Sequence, residues 1–241
     1  MEKAIDIEEQ IIELTNFYRR LKYRKIQRGI YIIYGELEFK TVSPEVIRGK
    51  YNVEIQVTKR FPVEVPIVKE VGGIIPDDFH KNDSKTLCLG VETEIKLFLK
   101  NMPNLLKFVN SFVIPYFYSF KIWQKTGKFP FGERPHFVKG IIEFYKEYLL
   151  LNDLSKIINV LKYIYNKGDL NGYCRCPCGS GRSINECFHQ EKLKELSKIN
   201  IKDDLYYIYW YFNKINGKRK KPIIYPLTLE NFNKLYGIKN K

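Results

Sequence analysis

The sequence has no long hydrophobic run, because charged or polar residues interrupt every apolar stretch of the 241 residues. A transmembrane helix needs about 20 consecutive apolar residues, so no membrane span is expected. The first positions include the charged residues Glu2, Lys3 and Asp6, which do not fit a secretory signal. The predicted location is the cytoplasm, a reducing compartment where cysteines serve in metal binding or catalysis more often than in disulfides.

Acidic residues are few relative to basic ones: 27 Asp and Glu stand against 41 Lys and Arg, for a net charge of +14. Such a charge attracts nucleic acid, acidic membranes or acidic proteins. The basic residues are scattered, however, and the one dense cluster is Gly-Lys-Arg-Lys-Lys at 217–221. One short cluster offers few phosphate contacts, so nucleic-acid binding is expected to be weak or absent. We interpret the excess charge as a solvated basic surface.

The spacing of the apolar residues predicts an α+β protein. Over residues 5–22, apolar side chains recur every three or four positions, which indicates an amphipathic helix. Its late basic residues, Arg19, Arg20 and Lys22, suit the negative end of the helix dipole. Period-two alternation then predicts an antiparallel meander of three or four short strands, and helical patterns follow position 88. The predicted strands are 29–40, 51–58 and 67–71, and the later helical patterns are 105–113, 140–150 and 154–165.

All five cysteines lie in two places, and the first of these holds a single thiol. Cys88 stands between Leu87 and Leu89 and follows His80 and Asn82 through a short polar loop. A lone cysteine between leucines is often a small buried hydrophobe. The neighbouring His and Asn favour the other interpretation, a nucleophilic thiol in a coil segment after the strands.

The order of helix, meander, Phe61-Pro62, the triplet at 80–82 and Cys88 resembles the ubiquitin-conjugating fold over roughly residues 5–150. It is most similar to divergent bacterial members found in antiphage and ubiquitin-like conjugation loci. The resemblance implies that Cys88 carries a ubiquitin-like modifier as a thioester. It also implies that Asn82 stabilises the oxyanion and that His80 holds the loop. Lys81 stands where the family has proline.

The resemblance also implies partners. They are a ubiquitin-like modifier or a modified client protein, and in related antiphage operons a cyclic-oligonucleotide synthase. The sequence contains no Gly-rich nucleotide-binding loop of the adenylate-forming kind. Activation of the modifier is therefore expected to need a separate activating enzyme.

The second group of cysteines has the spacing of metal ligands. Cys-Pro-Cys-Gly-Ser-Gly at 176–181 precedes Cys187 and His189, and glycines allow the tight turn that brings two thiolates to one ion. This run resembles the SEC-C motif, a zinc-binding tail first described on the SecA translocase. We expect a structural zinc site formed by Cys176, Cys178 and Cys187, with His189 as the fourth ligand and Cys174 as the other candidate.

These inferences divide the chain into a ubiquitin-conjugating-like domain, a helical linker, a zinc knuckle and a basic helical tail. The predicted boundaries are 1–150, 151–172, 173–190 and 191–241. His136, in a polar cluster that could reach the thiol, receives no role. The alternative function is a non-catalytic module that uses the same fold and knuckle to bind a protein or nucleic acid.

Overall fold

The computed structural model describes residues 6–26, 29–41, 46–77, 79–82, 84–132, 135 and 137–215. Four strands and the first helix come early in the chain, and the remaining elements are helical. The strands are β1 Leu21–Ile26, β2 Ile30–Lys40, β3 Arg48–Thr58 and β4 Ile67–Glu70. The helices are α1 Ile7–Phe17, α2 Glu92–Asn101, α3 Leu105–Phe108, α4 Ile114–Thr126, α5 Val138–Leu149, α6 Leu154–Tyr165, α7 Gln190–Ser197 and α8 Lys202–Ile215.

The strands form one antiparallel sheet in the order β1-β2-β3-β4, which confirms the predicted α+β class. Alternate residues of β2 and β3 point to one face, so that Ile33 lies opposite Ile55 and both are buried. Helix α1 adds Ile11 and Leu14 to the same core, and α4 stacks Phe117 on Tyr51 with ring centroids 4.1 Å apart. This is the first of two hydrophobic cores formed by the described residues.

The first helix is shorter than predicted, and the expectation that basic residues complete its last turn is wrong. Helix α1 ends at Phe17, and Leu21 begins β1 instead of continuing the helix. Tyr18 caps the helix and is held by its hydroxyl, which donates to Asn110 Oδ1 at 2.6 Å. Arg20 pairs with Glu36 on β2. Leu21 keeps the apolar spacing of the helix, so periodicity alone could not separate the two conformations.

The helical pattern predicted over 105–113 belongs to a longer helical run, which continues through Pro115. A π-helical turn, Val109–Val113, links α3 to α4, and the proline lies in the first turn of α4. Proline has no N–H to donate, and the first turn of a helix is where that loss costs least. The run therefore extends to Thr126, where Gly127 ends it in a left-handed conformation.

The second core joins the predicted linker, knuckle and tail to α5 and to Leu97, which fall within the predicted domain 1–150. Helices α5, α6, α7 and α8 surround the cysteine-containing segment, and three of its cysteines are part of this core. The apolar stretch 205–212 lies in α8 and packs on α5 and α6. The four-part division of the chain stays a prediction.

A buried carboxylate connects the C-terminal helices to α2. Asp204 in α8 is 8% exposed and accepts hydrogen bonds from Thr93 Oγ1 in α2 and from the Tyr145 hydroxyl in α5, the latter at 2.9 Å. Burial raises the pKa of Asp204, although both hydrogen bonds oppose the rise. Charged residues are rarely buried unless they are paired, so these contacts explain why an acid is tolerated here.

Two sequence-based interpretations fall on residues that the structure does not describe. The basic cluster 217–221 and His136 both lie outside the described ranges. Within those ranges, no helix combines the length and the apolar character needed to cross a bilayer.

Candidate thiol and metal sites

A buried carboxylate, that of Glu70, stabilises the turn that leads from β4 to the Cys88 loop. The Glu70 carboxylate at the end of β4 is 7% exposed and accepts backbone hydrogen bonds from Gly72 at 2.7 Å, Ile74 at 3.1 Å and Ile75 at 3.3 Å. These three hydrogen bonds replace the ones that a buried carboxylate can no longer make with water. Sequence reasoning missed Glu70. Its signal was an acid on the same face of β4 as the buried Val68.

His80 lies in an aromatic environment beside the thiol loop. Its ring meets Phe79 edge-on at 5.3 Å and Phe129 at 4.9 Å, and its backbone has a φ of +40°. The His80 carbonyl accepts a hydrogen bond from the Cys88 N–H at 2.8 Å. The Tyr116 hydroxyl donates to the carbonyl of Phe79 at 3.0 Å, which anchors the same backbone to α4. Tyr116 was not found from the sequence.

Asn82 begins a tight polar turn that returns the chain to Cys88. Its N–H donates to the carbonyl of Thr86 at 2.8 Å, and its carbonyl accepts from the N–H of Lys85 at the same distance. The side-chain Nδ2 of Asn82 donates to Thr86 Oγ1 at 2.9 Å. Residues Lys81 and Leu87 pair across the turn as an antiparallel bridge. The side chain of Asn82 is exposed.

The two lysines of the thiol loop, Lys81 and Lys85, make their contacts with Asp77 and with the backbone. Lys81 Nζ donates to the Ile75 carbonyl at 2.6 Å and lies 3.5 Å from Asp77 Oδ1, while Lys85 pairs with the other oxygen of Asp77. Burial raises the pKa of Cys88, and a hydrogen bond from the Gly90 backbone only partly offsets this. The resting thiol is therefore mainly protonated at neutral pH.

This shift predicts the pH dependence of alkylation at Cys88. Only the thiolate reacts, so the rate with iodoacetamide should still be rising above pH 8. The midpoint should lie above about 8.5, the value of an unperturbed thiol. The rate is measured by mass spectrometry of the Cys88 peptide over a pH series. A midpoint below 8 would contradict the effect of burial.

Cys88 is half-buried and lines a groove of about 1060 Å³. Asn82 lines the same groove, together with the 60–67 segment before and at the start of β4. The groove is also lined by α2 and by residues from the loop between α7 and α8. The thiol is therefore neither a core side chain nor fully exposed, and a reactant in the groove can approach it.

The second site brings together the four predicted ligands. Cys176, Cys178, Cys187 and His189 are each at most 4% exposed, and their ligand atoms lie within 4.8 Å of one another. The turn between the first two ligands and Ser183 is closed by a backbone hydrogen bond from Cys176 to Arg182 at 2.8 Å. Gly179 and Gly181 have φ values of +76° and +78°, which other residues adopt at a cost.

The spacing of the donor atoms fits a tetrahedral metal ion. Cys178 Sγ lies 3.6 Å from Cys187 Sγ, and Cys187 Sγ lies 3.5 Å from His189 Nδ1. Zinc bonds of about 2.3 Å to sulfur and 2.0 Å to nitrogen place two sulfurs about 3.8 Å apart and a sulfur about 3.5 Å from a nitrogen. The observed pairs agree with these distances, and three thiols with one imidazole are a common donor set for structural zinc.

The histidine is held in the orientation that a metal ligand needs. His189 Nε2 lies 2.6 Å from the Leu149 carbonyl, an acceptor, so this nitrogen carries the hydrogen. Nδ1 then keeps its lone pair toward the sulfurs, the arrangement usual for metal-binding histidines. Burial acts to raise the pKa of Cys187, but hydrogen bonds led by those from the His189 backbone N–H and the Ser180 hydroxyl outweigh it and lower the pKa.

Cys174, the other candidate for the fourth ligand, lies outside this cluster. It is exposed, and its Sγ contacts the Tyr163 hydroxyl at 3.0 Å. Phe188 lies between the third thiol and the histidine in sequence, and its side chain is 61% exposed. Because Phe188 turns outward, His189 points inward to complete the set.

The thiol and the metal cluster are thus two separate sites with different chemistry. The first is a groove-lining nucleophile candidate, and the second is a buried set of four ligands. Comparison of the chain with protein-family models, with curated proteins and with solved structures finds no match.

Proposed function

We propose that this protein is a conjugating enzyme of the ubiquitin-conjugating type, which carries a ubiquitin-like modifier as a thioester on Cys88. The observation that supports it best is the position of Cys88 at the wall of an open groove, beside the loop that bears Asn82. A thiol that borders this groove is accessible to a reactant, as a carrier thiol must be. The order of an N-terminal helix, a four-stranded antiparallel meander and later helices also supports the proposal.

The reaction consists of two acyl transfers. The Cys88 thiolate attacks the carbonyl carbon of the activated modifier, and the donor's thiolate leaves and takes up a proton. An amine of the target then attacks the Cys88 thioester and loses a proton, which forms an amide bond and returns the thiol. Each transfer passes through a tetrahedral oxyanion, so a well-placed donor lowers the barrier.

Asn82 is the donor we assign to this oxyanion. Its amide nitrogen carries two hydrogens, and the bond to Thr86 uses one of them. The second remains for an oxyanion in the groove that Asn82 and Cys88 share. We assign His80 to positioning, because its carbonyl receives the Cys88 N–H and its ring lies between aromatic residues.

The four-ligand cluster is proposed to hold one zinc ion. With all four positions taken by protein, the metal would stabilise the fold and have no open position for a reactant. The remaining parts of the proposal are a separate activating enzyme and a modifier or modified client. A cyclic-oligonucleotide synthase is the client we favour, in the cytoplasm and in bacterial antiphage defence.

Acyl transfer to Cys88 can be tested with a synthetic peptide that bears a C-terminal thioester. The expected product is a Cys88 adduct seen by intact mass, cleaved by dithiothreitol or hydroxylamine and absent from the Cys88→Ser variant. The chain supplies its own control, since Cys174 is a more exposed thiol outside the groove. Cys174→Ser should leave the adduct unchanged. An adduct on Cys174 in preference to Cys88 would contradict the proposal.

One observation favours a second function, a non-catalytic module that binds a protein or nucleic acid. Burial raises the pKa of Cys88, so the resting thiol is less reactive than an activated nucleophile. A binding module would keep its affinity for its partner in the Cys88→Ser variant, whereas a conjugating enzyme would lose turnover. Nucleic-acid binding by such a module would weaken steeply as salt is raised.

A further inference from the structure

The groove beside Cys88 has walls from distant parts of the chain. One wall is formed by the 60–67 segment and the Cys88 loop. The lining also includes a second wall of Lys198, Ile199 and Asn200 from the loop between α7 and α8, and Asp203 from the start of α8. These residues follow the metal cluster in sequence and lie more than 100 positions after the thiol. The thiol site is therefore composite.

Asp204 connects this second wall to α2 and α5. It directly follows the groove-lining Asp203, and its buried carboxylate accepts from Thr93 in α2 and from Tyr145 in α5. Thr93 belongs to the helix that starts just after the Cys88 loop and whose Ile95 and Lys96 also line the groove. A buried carboxylate that loses such partners leaves an uncompensated charge, so this junction favours one arrangement of the two walls.

The metal cluster lies at the other end of the same segment. His189 precedes α7, and its carbonyl accepts the first intrahelical hydrogen bond, from Leu193 at 2.9 Å. Helix α7 is then tied to α5 twice: Lys192 donates to the Tyr148 carbonyl, and the Tyr148 hydroxyl donates to Glu195 Oε2 at 2.6 Å. Lys198, the first groove residue of this wall, comes directly after the end of α7.

We propose that residues 198–203, which α7 connects to the four-ligand cluster, form one wall of the Cys88 groove, so that metal retention sets how openly the thiol can be approached. Residues 198–203 would also select which acyl donor or acceptor fits beside the thiol. The choice of reactant rests on the proposed function, but the wall itself does not. The metal would then control access to the thiol as well as stabilise the fold.

The wall can be tested by the rate at which Cys88 is alkylated, followed by mass spectrometry of the Cys88 peptide in the full chain. Two probes are used: iodoacetamide, which is small, and a maleimide attached to a ten-residue peptide, which is bulky. Removal of the metal with a chelator should accelerate the bulky probe several-fold more than the small one. Asp204→Ala should act in the same direction while the metal stays bound, which elemental analysis checks.

A second variant keeps the test independent of unfolding. Lys198→Trp adds bulk to the wall at an exposed position and should slow the bulky probe several-fold while leaving iodoacetamide unchanged. Lys194→Trp is the matched control, because it lies one turn earlier on α7 and does not line the groove. Hydrogen exchange in α2 reports whether the junction at Thr93 has opened.

The outcomes separate this inference from the proposed function. Two results together would contradict the proposal that residues 198–203 form a wall of the groove. They are equal alkylation rates with and without metal, and equal rates in the two tryptophan variants. Faster alkylation of the metal-free protein that never forms a peptide thioester adduct would support the wall and contradict the conjugating function. An adduct that forms equally well without metal would support the function and contradict the regulation.

Discussion

Cys176→Ser is expected to lose the bound metal completely and to unfold the second hydrophobic core. The Cys176 side chain is 4% exposed and lies in the core that packs α5, α6, α7 and α8. Structural zinc sites contribute about 10–16 kcal/mol of binding free energy, which is as large as the whole stability of a typical domain. Elemental analysis should give about one zinc per wild-type chain and none in the variant.

Hydrogen exchange locates the damage. Protection should disappear from α7 and α8, while the sheet and α4 should stay protected because they belong to the other core. Cys174→Ser is the matched control, since this exposed thiol lies outside the cluster and should leave the zinc content unchanged. Wild-type protein purified without chelator that contains no zinc would refute the site.

Asn82→Ala is expected to slow acyl transfer from Cys88 by about 10²-fold, the usual loss for one oxyanion donor. The fold should survive, because Asn82 is exposed and its hydrogen bond to Thr86 stabilises the turn by only about 1 kcal/mol. The measurement is the single-turnover rate at which a preformed Cys88 peptide thioester passes to a small amine. Thermal unfolding of the variant is followed in parallel.

Two further variants separate catalysis from loop structure. Asn82→Asp keeps the size of the side chain but has no N–H to donate when ionised, so it should be slow as well. Thr86→Ala removes the same hydrogen bond from the other side and leaves the amide in place. It should therefore change the rate little. Comparable losses in Asn82→Ala and Thr86→Ala would mean that Asn82 only shapes the turn.

The sequence by itself predicted those features that depend on neighbours along the chain. Alternation in β3 places Val53 and Ile55 in the core, and the structure confirms both the strand and the antiparallel sheet. Spacing also identified the cysteines of the metal cluster, because a turn with two glycines can bring ligands two positions apart to one point. These are local relations, so periodicity and spacing contain them.

Tertiary structure alone decided features that join distant residues. The choice of His189 over Cys174 follows from the outward turn of Phe188 and the contact with Leu149, forty positions earlier. The helix predicted over 5–22 gave way to β1 because Leu21 is buried at the start of a strand that pairs with β2. No local pattern distinguishes these outcomes, since each depends on what the rest of the chain places beside the residue.

The thiol site shows the same division most clearly. Cys88, Asn82 and His80 were recognisable as a motif, but the raised pKa of the thiol depends on burial, and the neighbouring Lys81 and Lys85 pair with Asp77. The groove brings Cys88 together with residues 198–203, and the hydrogen bond between Thr93 and Asp204 joins the same two parts of the chain. Both pairs are separated by more than 100 positions. Sequence proximity determines which groups a motif contains. Only the packing of two cores against each other determines the solvent, charge and space around them.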